Sequence, residues 1–179
     1  MTRQKNRGLI IVHTGSGKGK TTAAMGLALR AAGHNSKMLM VQFIKGGRHC
    51  SELDAVKKLH PYFEIVPMGK GFVKFRGREP KPEDMRMVSE AWSFSKEKIT
   101  SDKFDMIILD EINYIIDYGF LPVKEVLEAL KTRPDRLHIV LTGRNAHPDI
   151  IEIADLVTEM REIKHPFKDG IKAQRGIEF

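Results

Sequence analysis

The chain has 179 residues, 41% of them hydrophobic, a single cysteine and a formal net charge of +7 at pH 7. That is enough for one domain, residues 1–179, with a sizeable core; the lone Cys50 excludes an internal disulfide and fits a reducing cytoplasm, and no apolar run approaches the roughly 18 residues of a membrane span. The 30 lysines and arginines are scattered, aromatic residues make up only 7%, and no basic stretch is interleaved with them, so the positive charge points to a polyphosphate ligand more than to nucleic acid.

The basic segment Met1–Arg7 leads into a strand and not into a signal-peptide core. That strand, Leu9-Ile10-Ile11-Val12, runs into Thr14-Gly15-Ser16-Gly17-Lys18-Gly19-Lys20-Thr21-Thr22, and a helix is expected over Lys20–Ala32. Strand, glycine-rich turn and helix in this order are the layout of a phosphate-binding loop: the glycines let several N–H groups point at one anion, and the helix N-terminus adds partial positive charge. Lys20 is placed to reach a phosphate oxygen and the Thr21 hydroxyl to ligate Mg²⁺. The one departure from G-x-x-x-x-G-K-[ST] is Thr14 at the first glycine.

Ser36–Phe43 and Phe63–Pro67 read as the second and third strands, with Cys50 as a free thiol in a loop between them. Met68–Pro82, rich in Gly, Lys and Pro, resists assignment, and such long irregular segments are often binding loops. A helix follows over Glu83–Thr100, then a buried strand over Phe104–Leu109 that ends in Asp110-Glu111. Four apolar residues ending in two carboxylates are the Walker B arrangement, which holds Mg²⁺ directly or through water; its strand is expected beside the P-loop strand. A helix over Pro122–Lys131 precedes the strand Leu137–Thr142, and Arg144 just beyond can meet a phosphate with paired donors. A helix over Pro148–Ala154, an edge strand over Leu156–Met160 and an irregular tail from Lys164 to Phe179 complete the chain. None of the seven histidines has metal-binding spacing, and His165 by itself reads as structural.

This alternation predicts an α/β fold, a mostly parallel sheet with helices on both faces. The residues imply Mg²⁺ and a nucleoside triphosphate, but a P-loop serves hydrolases, kinases and transferases alike. A P-loop ATPase or small-molecule kinase, with Glu111 as base, and a RecA-like nucleic-acid binder remain open on these motifs.

Further segments narrow the choice. The P-loop, Gln42-Phe43-Ile44-Lys45-Gly46, Met68-Gly69-Lys70-Gly71-Phe72, Leu109-Asp110-Glu111-Ile112-Asn113, Arg133-Pro134, Thr142-Gly143-Arg144, Ala154–Met160, Lys164-His165-Pro166-Phe167 and Gly170–Glu178 together resemble the CobA-type ATP:corrinoid adenosyltransferases. The resemblance runs in family order from about Arg7 to the end, and that family's P-loop carries the Thr14 variant. It implies a RecA-like P-loop fold and a reaction in which the Co(I) of a reduced corrinoid attacks the 5′ carbon of ATP, with triphosphate leaving. No protein nucleophile or general base is then needed.

The same resemblance makes Thr14 to Thr22 and Arg144 the ATP-binding residues, with the nucleotide lying in the reverse sense along the P-loop. Lys18, Lys20 and Phe72 become the residues of the transfer, and Thr21 and Glu111, with Asp110 beside them, the Mg²⁺ ligands. Phe72 falls on the family's aromatic position against the corrin. Where enterobacterial relatives carry a tryptophan two residues later, this chain has Lys74, and Phe75 is expected to supply the second aromatic. The Met68–Pro82 loop and the tail are expected to close over the corrinoid. A homodimer and a flavodoxin-like reductant are further implications; longer relatives carry an N-terminal helix that covers a partner's site, and only a few residues precede the first strand here, which leaves open whether this chain has such a cap.

Overall fold

The computed structural model describes residues 7–46, 50–71 and 81–177. In chain order the elements are β1 (Ile10–Thr14), α1 (Lys20–Ala32), β2 (Met38–Gln42), α2 (Ser51–Lys57), β3 (Phe63–Pro67), α3 (Pro82–Thr100), β4 (Met106–Asp110), α4 (Ile112–Asp117), α5 (Val123–Thr132), β5 (His138–Thr142), α6 (Pro148–Ile153) and β6 (Leu156–Glu159), with a short 3-10 turn at Pro166–Asp169. The strands form one sheet in the order β3-β2-β4-β5-β1-β6, and every pairing is parallel.

Parallel strands with helical crossovers are covered on both faces, which is why β1, β2, β4 and β5 are near-continuous apolar runs. The pleat sends alternate side chains to two cores. Ile10, Val12, Leu39, Val41, Ile107, Leu109, Ile139 and Leu141 meet the Trp92 face of α3 together with α4, α5 and α6. Ile11, Met38, Met40, Ile108 and Val140 face the other way, onto Ala24 and Ala28 of α1 and Val56 of α2. The expected α/β sheet with helices on both faces is thus what the chain forms.

Three features differ from the reading above. The Walker B strand is not beside the P-loop strand: β5 lies between β4 and β1, paired with both. Two short helices, α2 and α4, stand where none was expected. Pro122 does not occupy the first helical turn but precedes it with an extended ψ of 129°. The edge strand β6 is exposed along its whole length. It is held by register with β1 and by Asp155, whose carboxylate accepts the Ile10 N–H (2.8 Å) and an Arg7 N–H (2.6 Å).

Candidate active site

The C-terminal ends of β1, β2, β4 and β5 open on one side of the sheet, the edge at which open α/β sheets take their ligands. There a cleft of about 400 Å³ is lined by Ser16 to Thr22, Lys45, Glu111, Tyr114, Arg144, Glu162, His165 and Ile177. Among the described residues, Lys18, Lys20, Lys45 and Arg144 face the carboxylates of Glu111 and Glu162 in it.

The P-loop is braced from within and from outside. Lys20 is buried and donates to the carbonyls of Gly15 (2.9 Å) and Gly17 (2.6 Å), which leaves one ammonium N–H for a ligand. Burial lowers its pKa, against the pull of Glu111. Outside, the chain leaving β6 crosses the loop: the Gly17 N–H donates to the Met160 carbonyl at 2.6 Å. A Cβ at Gly17 would lie 2.8 Å from the Arg161 carbonyl, so this glycine answers to close backbone approach.

Asp110 is the hub beneath the loop. It has no exposed surface; one carboxylate oxygen accepts from the hydroxyls of Thr21 and Thr142, both at 2.8 Å, and the other from the Gln42 amide at 3.4 Å. Glu111 turns the other way. It sits in the left-handed region (φ 67°), a conformation that costs a glutamate about 1 kcal/mol or more. Its N–H is held by the Thr142 hydroxyl at 2.9 Å, and its carboxylate faces the cleft. Burial, and then the charge of Asp110, raises the Glu111 pKa.

These observations test the site for a divalent cation. Because the Thr21 hydroxyl gives its proton to Asp110, its oxygen lone pairs are left for a cation. Glu111, crowded by burial and a second carboxylate, stands where positive charge is wanted. Among the described residues no cluster of three His, Cys, Asp or Glu side chains has metal-binding geometry. One hydroxyl and one carboxylate, Thr21 and Glu111, would suit a hard cation such as Mg²⁺, which keeps waters and substrate phosphates in its shell.

Of the residues named from sequence, Ser16 to Thr22, Glu111 and Arg144 come together in the cleft, with Asp110 directly behind. Thr14 and Gly15 do not line it. The Thr14 hydroxyl accepts the Ala146 N–H at 3.1 Å, and the Gly15 carbonyl serves Lys20. Phe72 and Phe75 lie outside the described residues. Sequence reasoning missed Lys45, Tyr114, Glu162 and Ile177 and underrated His165, which lines the cleft while its Nδ1 accepts the Phe167 N–H. Tyr114 stacks on Tyr118 with ring centroids 4.4 Å apart, and its phenol, pushed up to about 12 by burial and the Tyr118 hydrogen bond, stays protonated.

The sheet order, the braced loop and the buried aspartate define a P-loop nucleotide-binding protein of RecA-like architecture. The flagellar accessory protein FlaH from Methanocaldococcus jannaschii matches 86% of this chain and 71% of its own with a TM-score of 0.54 at 14% identity, a likeness of fold alone. The family model of the ATP:corrinoid adenosyltransferases BtuR/CobO/CobP matches residues 6–179. A corrinoid adenosyltransferase of Sinorhizobium sp. is 44% identical over 99% of this chain and 83% of its own, and that of Escherichia coli K12 is 42% identical over 98% and 88%. The chain belongs to the CobA/CobO/BtuR family of corrinoid adenosyltransferases, as the motif series implied.

Proposed function

We propose that this protein transfers the 5′-deoxyadenosyl group of ATP to the reduced cobalt of a corrinoid and releases triphosphate. The observation that carries the reading is kinship with corrinoid adenosyltransferases along nearly the whole chain, on a cleft rich in cations. In the reaction the cobalt(I) electron pair forms the bond to C5′, the C5′–O5′ bond breaks, and its electron pair leaves with the triphosphate. The substrate is itself the nucleophile, so the protein's work is to position C5′ and to meet charge on the leaving group.

Lys20, Lys18, Arg144 and the loop N–H groups bind the triphosphate. Thr21 and Glu111 would hold Mg²⁺, which supplies charge neutralisation at the phosphates, and Asp110 orients Thr21 by accepting its hydroxyl proton. Phe72 and Phe75 belong to this reading as the aromatic contacts to the corrin, and the Met68–Pro82 segment and the tail as the parts that close over it. A homodimer, a flavodoxin-like electron donor and a cytoplasmic location complete it; no helix among the described residues is long and apolar enough to cross a membrane.

The test is anaerobic. Protein, Mg-ATP and chemically reduced corrinoid should lose the Co(I) spectrum and yield a photolabile adenosyl product with free triphosphate. ADP and phosphate formed regardless of corrinoid would instead assign phosphoryl transfer or hydrolysis.

A further inference from the structure

Lys45 belongs to no nucleotide-binding motif, yet it lines the cleft with the P-loop. It leaves the C-terminal end of β2, on the far side of Asp110 and Glu111 from the P-loop strand. Its ammonium is held by Glu52 of α2 at 3.1 Å. The side chain of Gln42 lies near Glu52, and its amide reaches Asp110 at 3.4 Å. A chain of polar groups thus runs from Thr21 through Asp110, Gln42 and Glu52 to Lys45. Burial opposes the charge on Lys45, but Asp110 and Glu52 outweigh it and raise its pKa, so the side chain is a cation.

The backbone of the same turn anchors the segment that follows β3. The Gly69 N–H donates to the Lys45 carbonyl (3.1 Å) and the Gly71 N–H to that of Ile44 (2.9 Å). The two strands of chain are so close that a Cβ at Gly46 would lie 1.7 Å from the Gly69 carbonyl oxygen. The residue whose side chain faces the nucleotide cleft therefore carries, on its backbone, the root of the loop assigned to the corrinoid.

We propose that Lys45 is a catalytic residue that contacts the triphosphate of ATP and meets the charge that builds on it as the C5′–O5′ bond breaks, with Glu52 and Gln42 as positioning residues. This rests on the adenosyl-transfer reading. When that bond breaks, its electron pair stays on the triphosphate, which gains one negative charge; a cation fixed at the end of the cleft where the corrinoid loop is rooted gains interaction energy in step. Glu52 holds the ammonium in place without removing its charge.

The test has two independent readouts. Lys45→Ala should lower kcat for adenosyl transfer by about 10²-fold, more than it raises KM for ATP. Inorganic tripolyphosphate binding, followed by calorimetry without corrinoid, should weaken about tenfold, equivalent to about 1.4 kcal/mol. Lys45→Arg should recover part of both, since charge is kept while shape is not. Glu52→Gln should lower kcat less than Lys45→Ala and leave KM for the corrinoid unchanged. Thermal melting of each variant reports folding separately. Unchanged kcat and tripolyphosphate affinity in a folded Lys45→Ala variant would overturn the assignment, as would a rise in the corrinoid KM alone. A wild-type protein that binds tripolyphosphate through Lys45 but never adenosylates a corrinoid would sink the functional reading and leave the phosphate contact standing.

Discussion

The cleft has two flanks of opposite construction. On the inner flank Asp110, Thr142 and Gln42 are buried at the ends of central strands, and their side chains hydrogen-bond to one another, to Thr21 and to the Glu111 N–H. On the outer flank, past the exposed β6, Ile163, Phe167 and Ile177 are 82%, 76% and 80% exposed, and Ile177 nonetheless lines the cleft. Charge on phosphate is best met by dipoles and cations fixed before the ligand arrives. A broad, largely apolar macrocycle is met by apolar side chains that become buried only when it binds. In our reading the inner flank serves the first need and the outer flank the second.

The sharpest way to break this comparison is within the inner flank. Asp110→Asn should reduce adenosyl transfer by about 10²-fold or more. It should also destabilise the protein by about 1–3 kcal/mol, because an amide nitrogen would face buried donors. Glu111→Gln should lose comparable activity yet raise the melting temperature of the nucleotide-free protein, since burial and then Asp110 disfavour the charged form of its carboxylate. Equal melting shifts for the two variants would erase the distinction between buried anchor and cleft ligand.

Next in size is the brace between the flanks. Gly17→Ala drives a methyl group into the Arg161 carbonyl and should cost about 1–3 kcal/mol in stability, with ATP binding weakened about tenfold. A Gly17→Ala protein with wild-type ATP affinity would show that Met160 and Arg161 do not shape the loop. On the outer flank, combining Phe167→Ser with Ile177→Ser should change stability by no more than about 0.5 kcal/mol, as both side chains are exposed. It should leave KM for ATP unaltered and raise KM for the corrinoid, which steady-state kinetics with each substrate varied would read.

The smallest effect concerns pH. Both ring nitrogens of His13 are buried with no hydrogen-bond partner among the described residues, and burial lowers its pKa from 6.5. Below pH 6.5 the unfolded chain takes a proton that the folded one refuses, so stability falls as pH drops from 6.5 toward the lowered value. His13→Phe should flatten that slope in denaturant titrations. His138, whose pKa burial also lowers and whose Nδ1 accepts the Leu9 N–H, adds a slope of the same sign, and Glu111, whose pKa burial raises, one of the opposite sign. An unchanged slope would mean that His13 is protonated equally in both states.

Most of the fold was legible because its signals are local. The strands at the centre of the sheet are buried on both faces and so appear as unbroken apolar runs, and α1 follows the P-loop at the expected Lys20. The missed helices have weaker signals. In α2 only Val56 is buried, so no apolar stripe marks it. In α4 six residues are too few to show a helical period, and the turn at Glu111, with its positive φ, is what separates it from β4.

The sequence by itself determined the α/β alternation, the phosphate-binding loop, the acidic strand end and, through the series of motifs, the family. Each is a pattern of neighbouring residues whose physical meaning holds wherever the segment lies. Only the tertiary structure decided that β5 stands between the two halves of the nucleotide site, so that Thr142 can bridge Asp110 and the Glu111 N–H across strands. It also placed Met160 on the P-loop and Lys45 in the cleft. Spatial strand order is set by which apolar faces pack together over the whole chain, and no local pattern carries that information.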